Sequence, residues 1–238
     1  MAAPDEAIVL AGGLGTRLRS VVSEVPKPLA PVRGRPFLAY LLDTLAAQGF
    51  ARVVLATGYR GEQVAAAFGG HWQGMQLIHS REPQPLGTGG AIVLAMQHIR
   101  GAACFVLNGD TYLQLDYADF DACTRQTGLP LGMALAGVAD TTRYGAVTID
   151  GVRVTGFIEK GRGGQGYINA GVYRIECALL AGRPADQAFS FETEILRPTV
   201  ERGAVAAYTR TRDFIDIGIP EDYARAQQVL GTGEGNPA

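Results

Sequence analysis

The chain has 238 residues, of which 47% are hydrophobic, and a formal net charge of −2. This apolar content can bury a substantial core, which excludes a disordered or fibrous protein. Charges of both signs are interspersed and no basic run is present, so a nucleic-acid partner is not expected.

The N-terminus and the cysteines bear on the cellular compartment. The segment MAAPDEAIVLAGG carries acids where a secretory signal has basic residues, and no apolar run reaches the roughly 20 residues of a membrane span. Cys104, Cys123 and Cys177 are far apart and lack a CxxC spacing, so neither a disulfide framework nor a zinc site is indicated. We therefore expect a cytoplasmic protein with no membrane partner.

Short apolar segments alternate with helical patterns through the first half of the chain. The predicted strands are 7–11, 51–57, 75–79, 102–108 and 131–136, and the predicted helices are 37–48, 61–68, 88–99 and 117–127. This alternation is typical of crossover units. It predicts a parallel sheet with helices on both faces.

The second half of the chain has a different pattern. Residues 146–160 alternate in hydrophobicity around Asp150-Gly151, which predicts a β-hairpin that extends the sheet with antiparallel strands. A helix is predicted near 191–200, and a last helix begins at Pro220. Residues 232–238 are polar and glycine-rich, so we expect a flexible tail after a single domain over 1–231.

A glycine-rich turn follows the first predicted strand. Gly12, Gly13 and Gly15 are expected to permit positive φ and close backbone approach, so that their N–H groups converge on an anion. Arg17 adds a forked donor for phosphate oxygens. Leu18 stands where a dinucleotide-binding fingerprint has its third glycine, and no Gly-Lys-Ser/Thr follows. An ordinary tight turn remains the alternative for this segment taken alone.

Lys27 lies between two prolines, Pro26 and Pro28. Proline fixes its own φ and disfavours helix at the residue before it, so we expect an extended, stiff segment that holds the lysine charge. A charge held in this way can meet a phosphate at little cost in entropy. A surface lysine in a linker is the alternative for the tripeptide alone, but the nearby glycine turn favours a phosphate.

Two aspartates are candidates for a divalent-cation site. Asp110 follows the strand 102–108 at the carboxyl edge of the predicted sheet, where ligands of open α/β folds bind. Asp216 is a charged residue within an apolar, strand-like run, and buried acids are rarely left without a partner. Because carboxylates are natural Mg²⁺ ligands, both side chains are predicted to face one ion. For Asp110 alone, a structural turn aspartate is the alternative.

Weaker candidates surround these positions. Glu82 can accept hydrogen bonds from the donor face of guanine, and residues 85–90 precede a predicted helix whose N–H groups lie near the same sheet edge. Lys160 can reach a second phosphate, while Gly145 and Asn169 can line a polar ligand. Each of these positions taken alone is more often structural.

Taken in order, seven segments of the chain resemble the sugar nucleotidyltransferases, also called nucleoside-diphosphate-sugar pyrophosphorylases. The segments are LAGGLGTRL, PKPLAPV, PLGTGGA, NGD, FIEK, NAGVY and DIGIPEDY, and they extend over nearly the whole chain. The resemblance implies an α/β, Rossmann-like nucleotide-diphospho-sugar transferase fold: three α/β/α layers, a mixed, mainly parallel central sheet and a small antiparallel extension. It also implies transfer of a nucleoside monophosphate from an NTP to a sugar 1-phosphate, with release of pyrophosphate.

Within this family, the segment GTRLRSVVSEVPKPLAPV with FSFE at 189–192 is most similar to guanylyltransferases for a manno-configured heptose 1-phosphate. This implies GTP as the nucleotide and a role in surface polysaccharide synthesis. The alternatives are mannose 1-phosphate with GTP, glucose 1-phosphate with CTP or dTTP, and an amino-sugar 1-phosphate with UTP. A regulatory subunit that senses nucleotide sugars is the alternative that is not an enzyme, and a homodimer is left open.

The resemblance also implies roles for individual residues. Arg17 would hold the departing pyrophosphate, Lys27 would sit at the α-phosphate, and Asp110 and Asp216 would hold Mg²⁺, the implied cofactor. The implied nucleotide-binding residues are Leu10, Ala11, Gly12, Gly13, Gly15, Thr16, Glu82, Pro85, Gly87, Thr88, Asn108 and Gly109. The implied sugar-phosphate-binding residues are Gly145, Glu159, Lys160 and Asn169.

Two positions depart from the family pattern. Gly161 replaces the usual proline after the Glu-Lys pair and begins a glycine-rich segment, 161–166, which is expected to act as a mobile lid over the sugar. The frequent Gly-Thr-Ala-Gly is Gly-Thr-Gly-Gly here, with Gly89 in place of alanine. The second change weakens any inference about the shape of the base pocket.

Overall fold

The computed structural model describes residues 3–13, 25–158 and 163–231. The strands in these ranges are β1 (Glu6–Leu10), β2 (Pro31–Val32), β3 (Arg35–Pro36), β4 (Arg52–Thr57), β5 (His71–Trp72), β6 (Met75–Arg81), β7 (Ala103–Asn108), β8 (Thr111–Gln114), β9 (Leu131–Val138), β10 (Ala146–Asp150), β11 (Arg153–Ile158), β12 (Gly166–Glu176), β13 (Val205–Tyr208) and β14 (Arg212–Asp216). The α-helices are α1 (Phe37–Ala47), α2 (Gly61–Phe68), α3 (Gly87–Met96), α4 (Tyr117–Thr127), α5 (Arg197–Glu201) and α6 (Pro220–Val229). Short 3₁₀ turns occupy Lys27–Leu29 and Cys177–Leu180, and a π-helical turn occupies Glu192–Leu196.

Ten strands of the described ranges form one mixed sheet in the order β10-β11-β13-β9-β12-β7-β1-β4-β6-β5. Its middle strands β7, β1, β4 and β6 run parallel, and β7, β1 and β4 are mainly apolar because both of their faces are covered. β12 runs antiparallel between β7 and β9, and the hairpin β10–β11 extends one edge as predicted. The separate pairs β8–β14 and β2–β3 form two small sheets.

Apolar cores lie on both faces of the sheet. Side chains alternate along β1, so that Ala7 and Val9 join one core and Ile8 joins the other. The first core includes the buried faces of α1, α2 and α4, and the second includes α3 and the apolar residues of 189–200. The expected three-layer α/β/α arrangement is therefore confirmed.

The bounds of the predicted elements in the first half are correct to within three residues. The main omission is β12, which no pattern in the sequence predicted as a strand. In the second half the helix near 191–200 is divided into the π-helical turn and α5, and α6 begins at Pro220 as expected. Within the described ranges, the helices are too short or too polar to cross a membrane.

Candidate active site

The loops after the parallel strands are joined at one edge of the sheet. Ala11 N–H donates to the Ala56 carbonyl at 2.8 Å, and Glu82 N–H donates to the Thr57 carbonyl at 2.8 Å. Gly109 N–H donates to the Leu10 carbonyl at 2.9 Å. The predicted nucleotide-binding positions from β1, β6 and β7 thus lie side by side at the carboxyl edge, where ligands bind in open α/β sheets.

Gly12 is a point of close backbone contact. A Cβ atom there would lie 2.9 Å from the Gly58 nitrogen and 3.0 Å from Glu82 Oε1, whereas a Cβ on Gly13 would meet nothing within 4 Å. Neither glycine has a positive φ, so the freedom to adopt one is not used at these two positions. The strand end needs glycine at position 12 because there is no room for a side chain.

Glu82 presents a partly desolvated carboxylate beside this turn. Its Oε2 accepts from the Leu86 N–H at 2.7 Å, and its Oε1 faces Gly12. Burial raises the pKa of Glu82 above its ordinary value, while the hydrogen bond from Leu86 opposes the rise. Oε1 can therefore accept hydrogen bonds from a ligand held against the glycine turn.

The loop at the start of α3 is packed under residues 187–191. Gly87 has φ +66°, and a Cβ on Gly89 would lie 2.1 Å from the Phe189 ring. The Phe191 N–H donates to Thr88 Oγ1 at 3.0 Å. The Gly-Thr-Gly-Gly sequence thus has a physical reason, because Phe189 fills the space that an alanine at position 89 would need. Thr88 holds this segment in place, and Pro85 is exposed.

Lys27 begins a short 3₁₀ turn and is not on an extended segment, so that prediction is wrong. Pro28 has no N–H, but the bonds that close the turn come from Leu29 N–H to the Pro26 carbonyl and from Ala30 N–H to the Lys27 carbonyl. Proline is therefore tolerated in this first turn. The Lys27 side chain is 11% exposed, and its Nζ donates to Asp110 Oδ2 at 3.0 Å.

The structure brings Asp110 and Asp216 to the same lysine. Asp216 ends β14, where the Ile217 N–H donates to the Asp110 carbonyl at 3.0 Å and the Gly218 N–H donates to Asp216 Oδ1 at 2.7 Å. A Cβ on Gly218 would lie 2.7 Å from Asp216 Oδ1 and 3.4 Å from Lys27 Nζ.

These contacts have an electrostatic consequence for Asp216. Burial raises its pKa and the nearby charge of Asp110 raises it further, while the Gly218 N–H and Lys27 lower it. Two carboxylates that lie near one lysine form a donor pair that a divalent cation can neutralise.

The predicted sugar-binding positions that the structure describes lie on two other elements. Gly145 has φ +80°, in the left-handed region that favours glycine, and follows the turn after β9. Asn169 lies on β12, where its Nδ2 donates to the Tyr173 hydroxyl at 2.7 Å and its Oδ1 accepts from the Gly171 N–H at 3.0 Å. A Cβ on Gly171 would lie 2.3 Å from Asn108 Nδ2, so this part of β12 adjoins the end of β7.

Several predicted positions lie outside the described residues. They are Gly15, Thr16, Arg17, Glu159, Lys160, the first two residues of the expected lid, 161–162, and the expected tail, 232–238. Their assignments stay predictions.

Two groups of residues near the site were missed from the sequence. Residues 187–191 pack on the loop of α3, and Asp222 Oδ2 accepts from the Tyr144 hydroxyl at 2.9 Å beside Gly145. The FSFE segment was a signal for the first group, since it carries two aromatic residues outside any predicted strand. The contact between Tyr144 and Asp222 joins distant parts of the chain and leaves no periodic pattern.

Comparison with known proteins identifies the family. Residues 6–232 match the family model described as nucleotidyl transferase. The chain belongs to the nucleotidyl transferase family. The resemblance noted in the sequence is confirmed, and so are the enzyme class and the Rossmann-like mixed α/β fold.

Two relatives and one solved structure are similar to this nucleotidyl transferase over almost their whole length. A protein from Aneurinibacillus thermoaerophilus named D-glycero-alpha-D-manno-heptose 1-phosphate guanylyltransferase is 40% identical over 94% of this chain and 98% of its own. A protein of the same name from Campylobacter jejuni is 37% identical over 92% of this chain and 96% of its own. The crystal structure of HddC from Yersinia pseudotuberculosis complexed with GMP-PN is 38% identical, with a TM-score of 0.83 over 96% of this chain and 99% of that one.

Proposed function

We propose that this nucleotidyl transferase transfers GMP from GTP to D-glycero-α-D-manno-heptose 1-phosphate, giving GDP-heptose and pyrophosphate for surface polysaccharide synthesis. The observation that carries the proposal is the meeting of Lys27, Asp110 and Asp216 at the carboxyl edge of the parallel strands. The choice of nucleotide and sugar is supported by relatives that are 37% and 40% identical over nearly the whole chain and bear this name.

The chemistry is an in-line displacement at the α-phosphorus of GTP. An oxygen of the sugar phosphate forms a new bond to that phosphorus, and the bond to the oxygen that bridges to the β-phosphorus breaks, so its electron pair leaves with pyrophosphate. Since the attacking oxygen is already an anion, no general base is required. The protein supplies alignment and neutralisation of developing charge.

Lys27 is the described residue best placed to neutralise that charge. Its amine is mostly buried and is already oriented by Asp110, so little reorganisation is needed when a phosphate arrives. In our proposal Lys27 meets the α-phosphate and Arg17 holds the departing pyrophosphate. Gly12 and Gly13 offer backbone N–H groups to the triphosphate.

Mg²⁺ is the proposed cofactor, and Asp110 and Asp216 are the residues that would hold it. Their carboxylates fit the ion, since both adjoin Lys27 and lie on backbone segments joined by a hydrogen bond. Within the described ranges no third histidine, cysteine or acidic residue joins them to form a larger cluster. Two protein ligands leave room for phosphate oxygens and water, as is usual for Mg²⁺. When bound, the ion would supply positive charge to the triphosphate.

Glu82 is the proposed recognition group for the base. The carboxylate can accept from both N1–H and the 2-amino group of guanine, which adenine cannot donate at the same positions. Gly145, Glu159 and Asn169 are proposed to contact the sugar, and Lys160 its phosphate.

Mannose 1-phosphate is the second candidate for the sugar substrate. A Mycobacterium tuberculosis protein named mannose-1-phosphate guanylyltransferase is 34% identical over 96% of this chain, although it is longer and only 65% of its length is matched. Both candidates use GTP, so the test must distinguish the sugars.

The proposal is tested by pyrophosphate release from a matrix of substrates. Purified protein is incubated with GTP, ATP, CTP, UTP or dTTP, each with heptose, mannose or glucose 1-phosphate, with and without Mg²⁺. We expect the highest kcat/KM for GTP with heptose 1-phosphate, and loss of turnover on chelation. A higher kcat/KM for another pair, or no turnover with any pair, overturns the proposal. Light scattering of the same preparation tests for a homodimer, and limited proteolysis tests whether residues 1–231 act as one domain.

A further inference from the structure

A carboxylate on α6 holds two side chains of the turn that precedes Gly145. Asp222 Oδ2 accepts a hydrogen bond from the Tyr144 hydroxyl at 2.9 Å and forms an ion pair with Arg143. The Arg143 guanidinium also lies over the Tyr144 ring, 4.3 Å from its centroid. The Asp222 side chain is 13% exposed, so its charge is largely removed from water and depends on these two partners.

The same tyrosine is held from a second direction by the strand that carries Asp216. The Tyr144 ring meets the Phe214 ring edge-to-face, with centroids 5.6 Å apart, and Phe214 lies two residues before Asp216 on β14. Tyr144 is therefore fixed at its ring by β14 and at its hydroxyl by α6. β14 and α6 follow one another in the chain, and the residue that ends β14 is Asp216, at the proposed cation site.

Gly145 follows Tyr144 directly, so the position of the tyrosine sets that of the glycine. Both residues donate their N–H groups to the Thr141 carbonyl, at 3.1 and 2.9 Å, and so form one tight turn. At its other end this turn is joined to residue 164, because the Thr141 N–H donates to the Gly164 carbonyl at 3.1 Å. Asp222 is the acidic residue through which α6 contacts this turn.

We propose that Asp222 is a positioning residue for the sugar 1-phosphate, which holds Tyr144, and with it the backbone at Gly145, beside the strand of Asp216. This proposal rests on the proposed function, in which Gly145 contacts the sugar. Asp222 itself touches no substrate. A displacement of about 1 Å in a substrate-binding wall is enough to lower the rate of an enzyme by a large factor.

The test separates the KM for the sugar phosphate from the KM for GTP. In Asp222→Ala we expect the KM for the sugar 1-phosphate to rise about tenfold or more, with the KM for GTP within about twofold of the unaltered enzyme. Asp222→Asn keeps an oxygen acceptor for the tyrosine hydroxyl and should recover most of the loss. Tyr144→Phe should raise the KM for the sugar 1-phosphate as Asp222→Ala does. In the double variant this KM should be no higher than in either single variant.

Glu221→Ala is the matched control, because Glu221 lies in the same first turn of α6 but is exposed. We expect both of its KM values to be unchanged. Equal rises in both KM values for Asp222→Ala, additive effects of the two substitutions, or no effect in Tyr144→Phe overturn the positioning role. Asp222→Asn and Tyr144→Phe are conservative, so the question is decided even where the alanine variant does not fold. A preference of the unaltered enzyme for a different sugar 1-phosphate contradicts only the proposed substrate, and the KM comparison is then made with that sugar.

Discussion

Replacing Gly89 with alanine should destabilise the enzyme, although alanine is normally the better helix residue. The new Cβ would lie 2.1 Å from the ring of Phe189, whereas carbon atoms in contact are about 3.5–4.0 Å apart. The buried ring would have to move by more than 1 Å, which places the change near the upper end of the usual overpacking penalty, about 3 kcal/mol. Alanine recovers about 1 kcal/mol of helix propensity, so the net loss is about 2 kcal/mol. For a chain of this size the melting temperature should fall by about 4–8 °C.

The sign of this effect should reverse when the ring is absent. In a Phe189→Ala background the new Cβ has room, and Gly89→Ala should stabilise the protein by up to about 1 kcal/mol. Urea unfolding followed by circular dichroism gives the free energy of unfolding of the unaltered protein, of each single variant and of the double variant. Gly70→Ala is the control, since a Cβ there meets nothing within 4 Å and its φ is not positive. If Gly89→Ala destabilises both backgrounds equally, the contact with Phe189 is not the cause.

Three further predictions concern the proposed chemistry. Lys27→Ala should lower kcat roughly 10²- to 10³-fold while the protein stays folded, and near-normal turnover would remove Lys27 from the reaction. Asp216→Asn should raise the Mg²⁺ concentration needed for half-maximal activity at least about tenfold, and an unchanged Mg²⁺ titration would contradict its place at the cation. The pKa of Glu82 is raised by burial, so GTP affinity should be complete above that raised pKa and decline as the pH falls through it. In Glu82→Gln the KM for GTP should be higher and independent of pH, and a pH profile parallel to that of the unaltered enzyme would count against the role of Glu82.

The parallel strands β1, β4 and β7 could be predicted because they are buried on both faces and form short apolar runs. β4, for example, is buried at every position and was predicted to within a residue. β12 was not predicted as a strand because its sequence GYINAGVYRIE contains two glycines and an asparagine, and its pairing register shifts between Asn169 and Tyr173. An irregularity of this kind disrupts the alternation on which strand prediction relies.

The proximity of Asp110 and Asp216 could be predicted because each is a charged residue within or directly after an apolar segment. Asp216 interrupts the apolar run FIDIG and Asp110 follows a buried strand, and both features indicated a shared cation site. The conformation at Lys27 was not predictable in the same way, because a 3₁₀ turn and an extended segment satisfy the two prolines equally well. Tyr144 and Asp222 meet only through the tertiary fold, which no local pattern records.

The hydrogen bond from Ile217 N–H to the Asp110 carbonyl has a practical consequence for engineering. It joins main-chain atoms, so the distance between the two acidic segments does not depend on the side chains that surround the substrates. The turn at 141–145, together with its partner at position 222, can then be exchanged for that of a relative with the phosphate-handling centre left in place. New sugar preferences should be accessible on this scaffold by changing this turn, whereas a new base preference would require a change at Glu82.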